Sequence, residues 1–403
     1  MPEPFDNLVV DIIAGLIVAV ILATVTWLWR RGKPPKASEA HAETGGVALS
    51  RTQGSTVIVA QRGATVNVYV DGLPQATGAV RDHFEEGRRL QEAEQHEPAI
   101  AEFEKALAVA QNDSQRCALH MLIGNSFLAT SRLGQAEGHY QRSLAAADKA
   151  QDKGGQATAL GNLGIVYRQR GEPDKAEEHH KKALAIDEEI GNRLGQASDL
   201  VNLGLLYADR GELDKAEEHE KAALAINRDI GNRLGEAHDL TALGLVYADR
   251  GQLNRAQGHH RKALAIYEEI GDKLGQATAL ANLGIVYRRR GHPDKGEQHI
   301  MAALAIDQKL GYRLGEAQDL ASLGDVYAQR GEVQQALRHY RDARRIFAQI
   351  GACRDLEKTD GAICALDRLE ALREAIRLLD EMRAEAPPSP KPKRPRKKPP
   401  PKP

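Results

Sequence analysis

From about Gly155 to Gly351 the sequence repeats itself every 40 residues. Gly164, Gly204, Gly244, Gly284 and Gly324 stand one period apart, and three residues after each come Tyr167, Tyr207, Tyr247, Tyr287 and Tyr327. A second glycine column follows at Gly171, Gly211, Gly251, Gly291 and Gly331. A period in the range of roughly 20 to 50 residues means stacked supersecondary units, none of which can bury its apolar face alone. A chain with this period is a solenoid.

Each unit reads as two helices. Between Gln156 and Gly195, apolar or small residues recur at Leu160, Leu163, Gly164 and Tyr167, then at Ala176, Ala183, Leu184 and Ile186, both sets at helical spacing. The break at Arg170-Gly171-Glu172-Pro173-Asp174 offers a glycine for a left-handed helix end and a proline for the next helix start. Gly191 is expected to end the second helix, with Asn192 to Gly195 turning into the next unit.

The string Asn162-Leu163-Gly164, Tyr167, Gly171, Ala176, Ala183-Leu184 resembles the tetratricopeptide repeat. The resemblance implies a right-handed, all-α solenoid of helix-turn-helix repeats in which helix A crosses helix B at small residues. Gly164 and Ala176 would let the two backbones approach, and Tyr167 would fill the space between repeats. The 40-residue length is similar to the extended subclass of kinesin light chains and of the LGN/Pins polarity adaptors. Leu160, Leu200, Leu240, Leu280 and Leu320 stand where the commoner form often has a large aromatic. Gly124 with Phe127 and Ala136, and Gly87 with Leu90, Ala99 and Phe103, extend the array upstream, giving about seven repeats over 80–351. Leu366, Leu369, Leu372, Ile376 and Leu379 place capping helices in 352–385, because a solenoid must cover its last apolar face.

The amino terminus has another character. Ile12 to Trp29 is a run of 18 residues without a charge, and a helix over 8–29 is long enough for a hydrocarbon core of about 30 Å. Arg30, Arg31, Lys33 and Lys36 follow at once, while Glu3 and Asp6 precede, so the positive-inside rule places residues 1–7 outside and the repeats in the cytoplasm. A cleaved signal peptide wants a basic start and small residues before the cut, whereas this start is acidic and the run ends Trp-Leu-Trp-Arg-Arg. The expectation is a single-pass anchor in the cell (inner) membrane. The net charge of -1 divides unevenly: seven basic residues in the tail, four just after Trp29 and three acids before it leave -9 for Ala37 to Ala386.

A basic, polar linker over 30–46 leads to a β-prone segment at 47–73. Its two β-branched runs, Gly54 to Val59 and Gly63 to Val68, read as a hairpin or a strand arc. Such a ribbon either rests on the first repeats or on nothing, or it stacks with copies of itself through residues 54–70, making the chain a homo-oligomer. The tail, 386–403, holds nine prolines and seven Lys or Arg, and reads as a disordered extended arm able to contact anionic lipid. It interleaves no aromatic to stack on bases, which argues against specific nucleic-acid recognition.

No phosphate loop, serine elbow or paired-cysteine site is present; Cys117, Cys353 and Cys364 are irregularly spaced, and neither a cofactor nor a metal is implied. His139, His179, His219, His259, His299 and His339 recur at the repeat period, but layers stacked ~8 to 10 Å apart cannot bring two imidazoles onto one metal. What remains is a binding surface rather than an enzyme. On the resemblance, helix A lines a concave groove, and Asn162, Asn202 and Asn282 would hydrogen-bond the backbone of an extended peptide, Ala242 and Ser322 breaking the ladder. One turn on, Arg168, Asp209, Asp249, Arg288 and Arg289 would share that face. The resulting expectation is a membrane-anchored scaffold that recruits a protein or peptide partner. The competing one is an oligomerising signalling component with a strand-stacking segment and a repeat sensor.

Overall fold

The computed structural model describes residues 49–52, 55–59, 65–69 and 78–385 of the chain. The span expected at 8–29, the linker at 30–46, the rest of the β-prone segment and the tail at 386–403 lie outside the described residues. Among the described residues, no helix is long and apolar enough to cross a membrane. The described residues divide into two compact units, one ending at Leu310 and the other beginning at Gly311.

The first unit holds six helical hairpins, each with a first helix (A) and a second (B). They are α1 (Ala79–Glu92) with α2 (His96–Ala108), α3 (Asp113–Ala129) with α4 (Leu133–Ala150), and α5 (Lys153–Gln169) with α6 (Pro173–Glu189). The series continues with α7 (Arg193–Asp209) and α8 (Leu213–Asp229), α9 (Arg233–Asp249) and α10 (Leu253–Ile270), and α11 (Lys273–Arg289) and α12 (Pro293–Leu310). The turn inside each hairpin is set by local chemistry. Gly171 takes a left-handed φ of 76°, so its N–H reaches Arg168 O at 3.0 Å and the Glu172 N–H reaches Tyr167 O at 2.9 Å. Two carbonyls of the helix end are thereby satisfied, and Pro173 opens the next helix where its missing N–H costs nothing.

The turn between hairpins differs from the sequence expectation. Asn192 is the N-cap of α7, and its side chain accepts from the Gly195 N–H at 3.2 Å, so Gly195 lies within the first turn of the helix. Asp152, Asn232 and Asp272 cap α5, α9 and α11 in the same way.

Small residues at the A–B crossing set how near the helices come. A Cβ on Gly164 would meet the His180 ring at 2.6 Å, one on Gly204 Glu220 Oε1 at 2.6 Å, and one on Gly244 the His260 ring at 2.4 Å. At Gly284 the obstacle is backbone, with Gly296 O at 2.9 Å. Around these crossings pack Leu163, Val166, Leu203, Leu206, Leu243 and Val286, all buried.

The second unit contains α13 (Arg313–Arg330), α14 (Val333–Ile350) and α15 (Cys353–Glu385). Its core is Ala317, Ala343, Ile346 and Phe347, against which Leu320 and Leu356 rest. A Cβ on Gly324 would meet the Tyr340 ring at 2.7 Å. Residues 353–385 form one continuous helix of 33 residues, where capping helices were expected. No proline or left-handed glycine interrupts that segment, so nothing in it forces a turn.

Three strands precede the helices: β1 (Leu49–Thr52), β2 (Ser55–Val59) and β3 (Thr65–Tyr69). They form an antiparallel sheet in the order β1-β2-β3, with Ser50 opposite Val57 and Val57 opposite Asn67. The two runs foreseen as a hairpin are thus joined by a third strand.

Candidate partner-binding face

In the first unit the A helices approach one another directly: α3 touches α5, α5 touches α7, and α9 touches α11, whereas no two successive B helices pack to that extent. The A helices of these pairs therefore share a layer, and its residues are placed by a repeated joint. Tyr167 donates its hydroxyl proton to Glu137 Oε1 at 2.8 Å, and Arg170 binds Glu137 Oε2 at 2.5 Å, linking α5 to α4 of the preceding hairpin. Tyr207 and Arg210 hold Glu177 at 2.8 and 2.5 Å, and Tyr247 and Arg250 hold Glu217 in the same manner. Hydrogen bonds from Lys181, Tyr207 and Arg210 hold Glu177 at a pKa of about 2. In the next joint the acceptor is an amide: Gln257 Nε2 donates to the Tyr287 hydroxyl at 2.8 Å, and Arg290 donates to Gln257 Oε1.

Tyrosine and histidine columns meet at these joints. His179, His219, His259 and His299 lie over Tyr167, Tyr207, Tyr247 and Tyr287 with ring centroids 4.8 to 5.0 Å apart. Nδ1 of His179, His219 and His299 each donates to a lysine carbonyl one turn back at 2.8 Å. In the second unit Tyr327 and His339 stack at 5.1 Å.

A second polar column went unrecognised in the sequence. Sixteen residues after the glycines stand Tyr140, His180, Glu220, His260 and Ile300, all buried where the A and B helices cross. His180 Nδ1 lies 3.5 Å from Asp199 Oδ1, and neither His180 ring nitrogen has a hydrogen-bond partner. Burial lowers the His180 pKa to about 3, so the imidazole is neutral near pH 7, and burial also pushes the Asp199 carboxyl well up. Glu220 is raised by burial and then by Asp239; Asp239 is pushed to about 8 by burial, against the 2.7 Å hydrogen bond from Asn227 Nδ2. The signal was in the register, visible only when the copies are aligned on their glycines.

The sequence-predicted groove residues fall on α5, α7, α9 and α11. Asn162, Asn202 and Asn282 are 1%, 2% and 6% exposed, so these amides are buried where an exposed ladder was expected. Asn162 Nδ2 donates to Asn125 Oδ1 at 3.4 Å, and Asn282 Nδ2 has no hydrogen-bond partner. Arg168 Nε and Asp209 Oδ2, on neighbouring A helices, form an ion pair at 2.8 Å. Asp249 and Arg288 are half-buried and Arg289 is exposed. Strand β3 lies against this same layer, touching α3, α5 and α7.

The Tetratricopeptide repeat family matches the chain over residues 114–189, 156–229, 195–269, 236–295 and 275–349. No curated protein sequence matches it. Among solved structures, the apo form of RapI aligns over 67% of this chain and 99% of its own, at 18% identity and a TM-score of 0.56. A signal transduction ATPase with numerous domains from Pyrococcus horikoshii, which carries a tetratricopeptide repeat sensor, aligns over 72% of this chain and 43% of its own, at 19% identity and a TM-score of 0.54. A putative kinesin light chain from Podospora anserina aligns over 48% of this chain and 96% of its own, at 19% identity and a TM-score of 0.40. Identities at this level speak to fold alone.

Proposed function

Because the chain belongs to the tetratricopeptide repeat family, a fold of protein-interaction scaffolds, we propose that its A-helix layer takes a protein or extended peptide partner while residues 8–29 hold it at a membrane. The observation that carries this reading is the amide of Asn282. It is a buried donor on α11 without a hydrogen-bond partner, two residues before the packing glycine. An unmade hydrogen bond at a buried site costs about 1 to 3 kcal/mol, which a partner's carbonyl would recover. Arg288 and Arg289, about two turns on, bring positive charge to the same helix and favour a partner with acidic residues beside its docking segment.

The test is capture of partners by the detergent-solubilised full chain, identification by mass spectrometry, and affinity measurement on Asn282→Ala. One or two hydrogen bonds of ~0.5 to 1.5 kcal/mol each correspond to roughly a tenfold loss of affinity or somewhat more. Melting should not fall, since the buried Nδ2 donor has no hydrogen-bond partner within the chain and its desolvation cost goes with it. A variant that melts early yet binds normally would remove Asn282 from the binding face.

A further inference from the structure

The partner-binding layer is not equally open along its length. Strand β3 lies against α3, α5 and α7, whereas α9 and α11 carry no such strand among the described residues. β3 is the outer strand of its sheet, with β2 as its one strand neighbour among the described residues. Its five residues, Thr-Val-Asn-Val-Tyr, bear no charge. Asn162 and Asn202 stand on helices that β3 covers, and both have bonding partners. Asn282, at the same register on uncovered α11, has none.

We propose that β3 is an intramolecular ligand of the A-helix layer, filling α3, α5 and α7 so that an extended partner segment can cross these helices only after the strand leaves. The inference rests on the reading that this layer binds extended segments, and adds that the chain supplies the first such segment itself. Only eight residues separate Tyr69 from Gly78, just before α1. A tether that short sets an effective concentration on the order of millimolar, so an outside segment of equal intrinsic affinity must reach that concentration to compete. The device would thus restrict the site to partners that bind more tightly than β3 or reach further, over α9 and α11.

The experiment has two arms on the full chain. In the first, p-benzoylphenylalanine replaces Val66, Asn67 and Val68 in turn, and photo-crosslinks are mapped by mass spectrometry. Crosslinks within one chain to residues 113–129, 153–169 and 193–209 are expected; crosslinks between chains, or none to these helices, overturn the proposal. In the second, a fluorescent peptide of residues 63–71 is titrated against the wild type and Val66→Pro/Val68→Pro. The prolines remove two backbone donors and with them strand pairing, while helical circular dichroism should be unchanged. Binding at least tenfold tighter to the proline variant is expected. Equal behaviour of the two proteins, binding or not, overturns it. Capture of a partner that depends on Asn282 is measured separately, so failure of either crosslinks or peptide leaves the reading of α11 standing, and failure at Asn282 leaves β3 testable.

Discussion

Asp239 sits 1% exposed with one oxygen bonded by Asn227 and the other without a partner, facing Glu220, Glu236 and Arg228. Its pKa of about 8 in the folded chain compares with about 3.9 for an unfolded aspartate. Between those values the folded state holds the extra proton, so stability falls as pH rises through that window. Asp239→Asn should remove this slope. Urea unfolding followed by hydrogen exchange in α8 and α9 should show no advantage for the variant near pH 4 and a growing one up to pH 8. His180 works in the opposite sense: depressed to about 3, it must charge on unfolding below about pH 6.5, and acid destabilises the fold there. Gly284 is a separate matter of space. With Gly296 O 2.9 Å from a would-be Cβ, Gly284→Ala should cost ~1 to 3 kcal/mol, read as lost exchange protection in α11 and α12. The glycine columns were legible in the sequence because every copy shares them. The buried column was not, because its members are Tyr, His, Glu, His and Ile, and no common chemistry marks the position.

At the scale of elements, the joint between hairpins joins one helix to the one before it. Glu177 takes hydrogen bonds from Tyr207 and Lys181 on one oxygen and from Arg210 on the other. Glu177→Gln keeps one acceptor and loses the charge, and a loss of about 1 to 3 kcal/mol at neutral pH is expected at the α6 to α7 contact. Its folded pKa of about 2 lies below the unfolded value of about 4.3, so this stabilisation is complete above about pH 4.3 and vanishes as pH falls through 2. Comparing wild type and Glu177→Gln by denaturation at pH 6 and pH 2.5 checks both magnitude and sign. Helix boundaries within a hairpin followed from Gly171 and Pro173, local signals that need no knowledge of the fold, whereas the cap at Asn192 was read as part of a turn. The seat of β3 had no such signal. Its contacts join residues 65–69 to helices as distant as α7, and no periodicity relates a strand to an array of helices.

For the whole molecule, the family and the repeated hairpins follow from the 40-residue period, while membrane attachment is our proposal from the composition of residues 8–29. Protease added to intact spheroplasts should leave 78–385 uncut and cleave it after lysis; cleavage before lysis would reverse the topology. Deleting 8–29 should release the chain to the soluble fraction. The joints described above also bear on how the molecule comes apart. Against desolvation, hydrogen bonds from Tyr167 and Arg170 hold Glu137 below its ordinary range, and those from Lys221 and Tyr247 hold Glu217 there. Gln257, in the corresponding place, has no proton to gain. Protons therefore act on successive couplings unequally: acid loosens three of them and leaves the fourth, between α10 and α11, indifferent. The array is a chain of fasteners in which one has been made of a different material, and that one fixes where an acid-opened molecule stays closed.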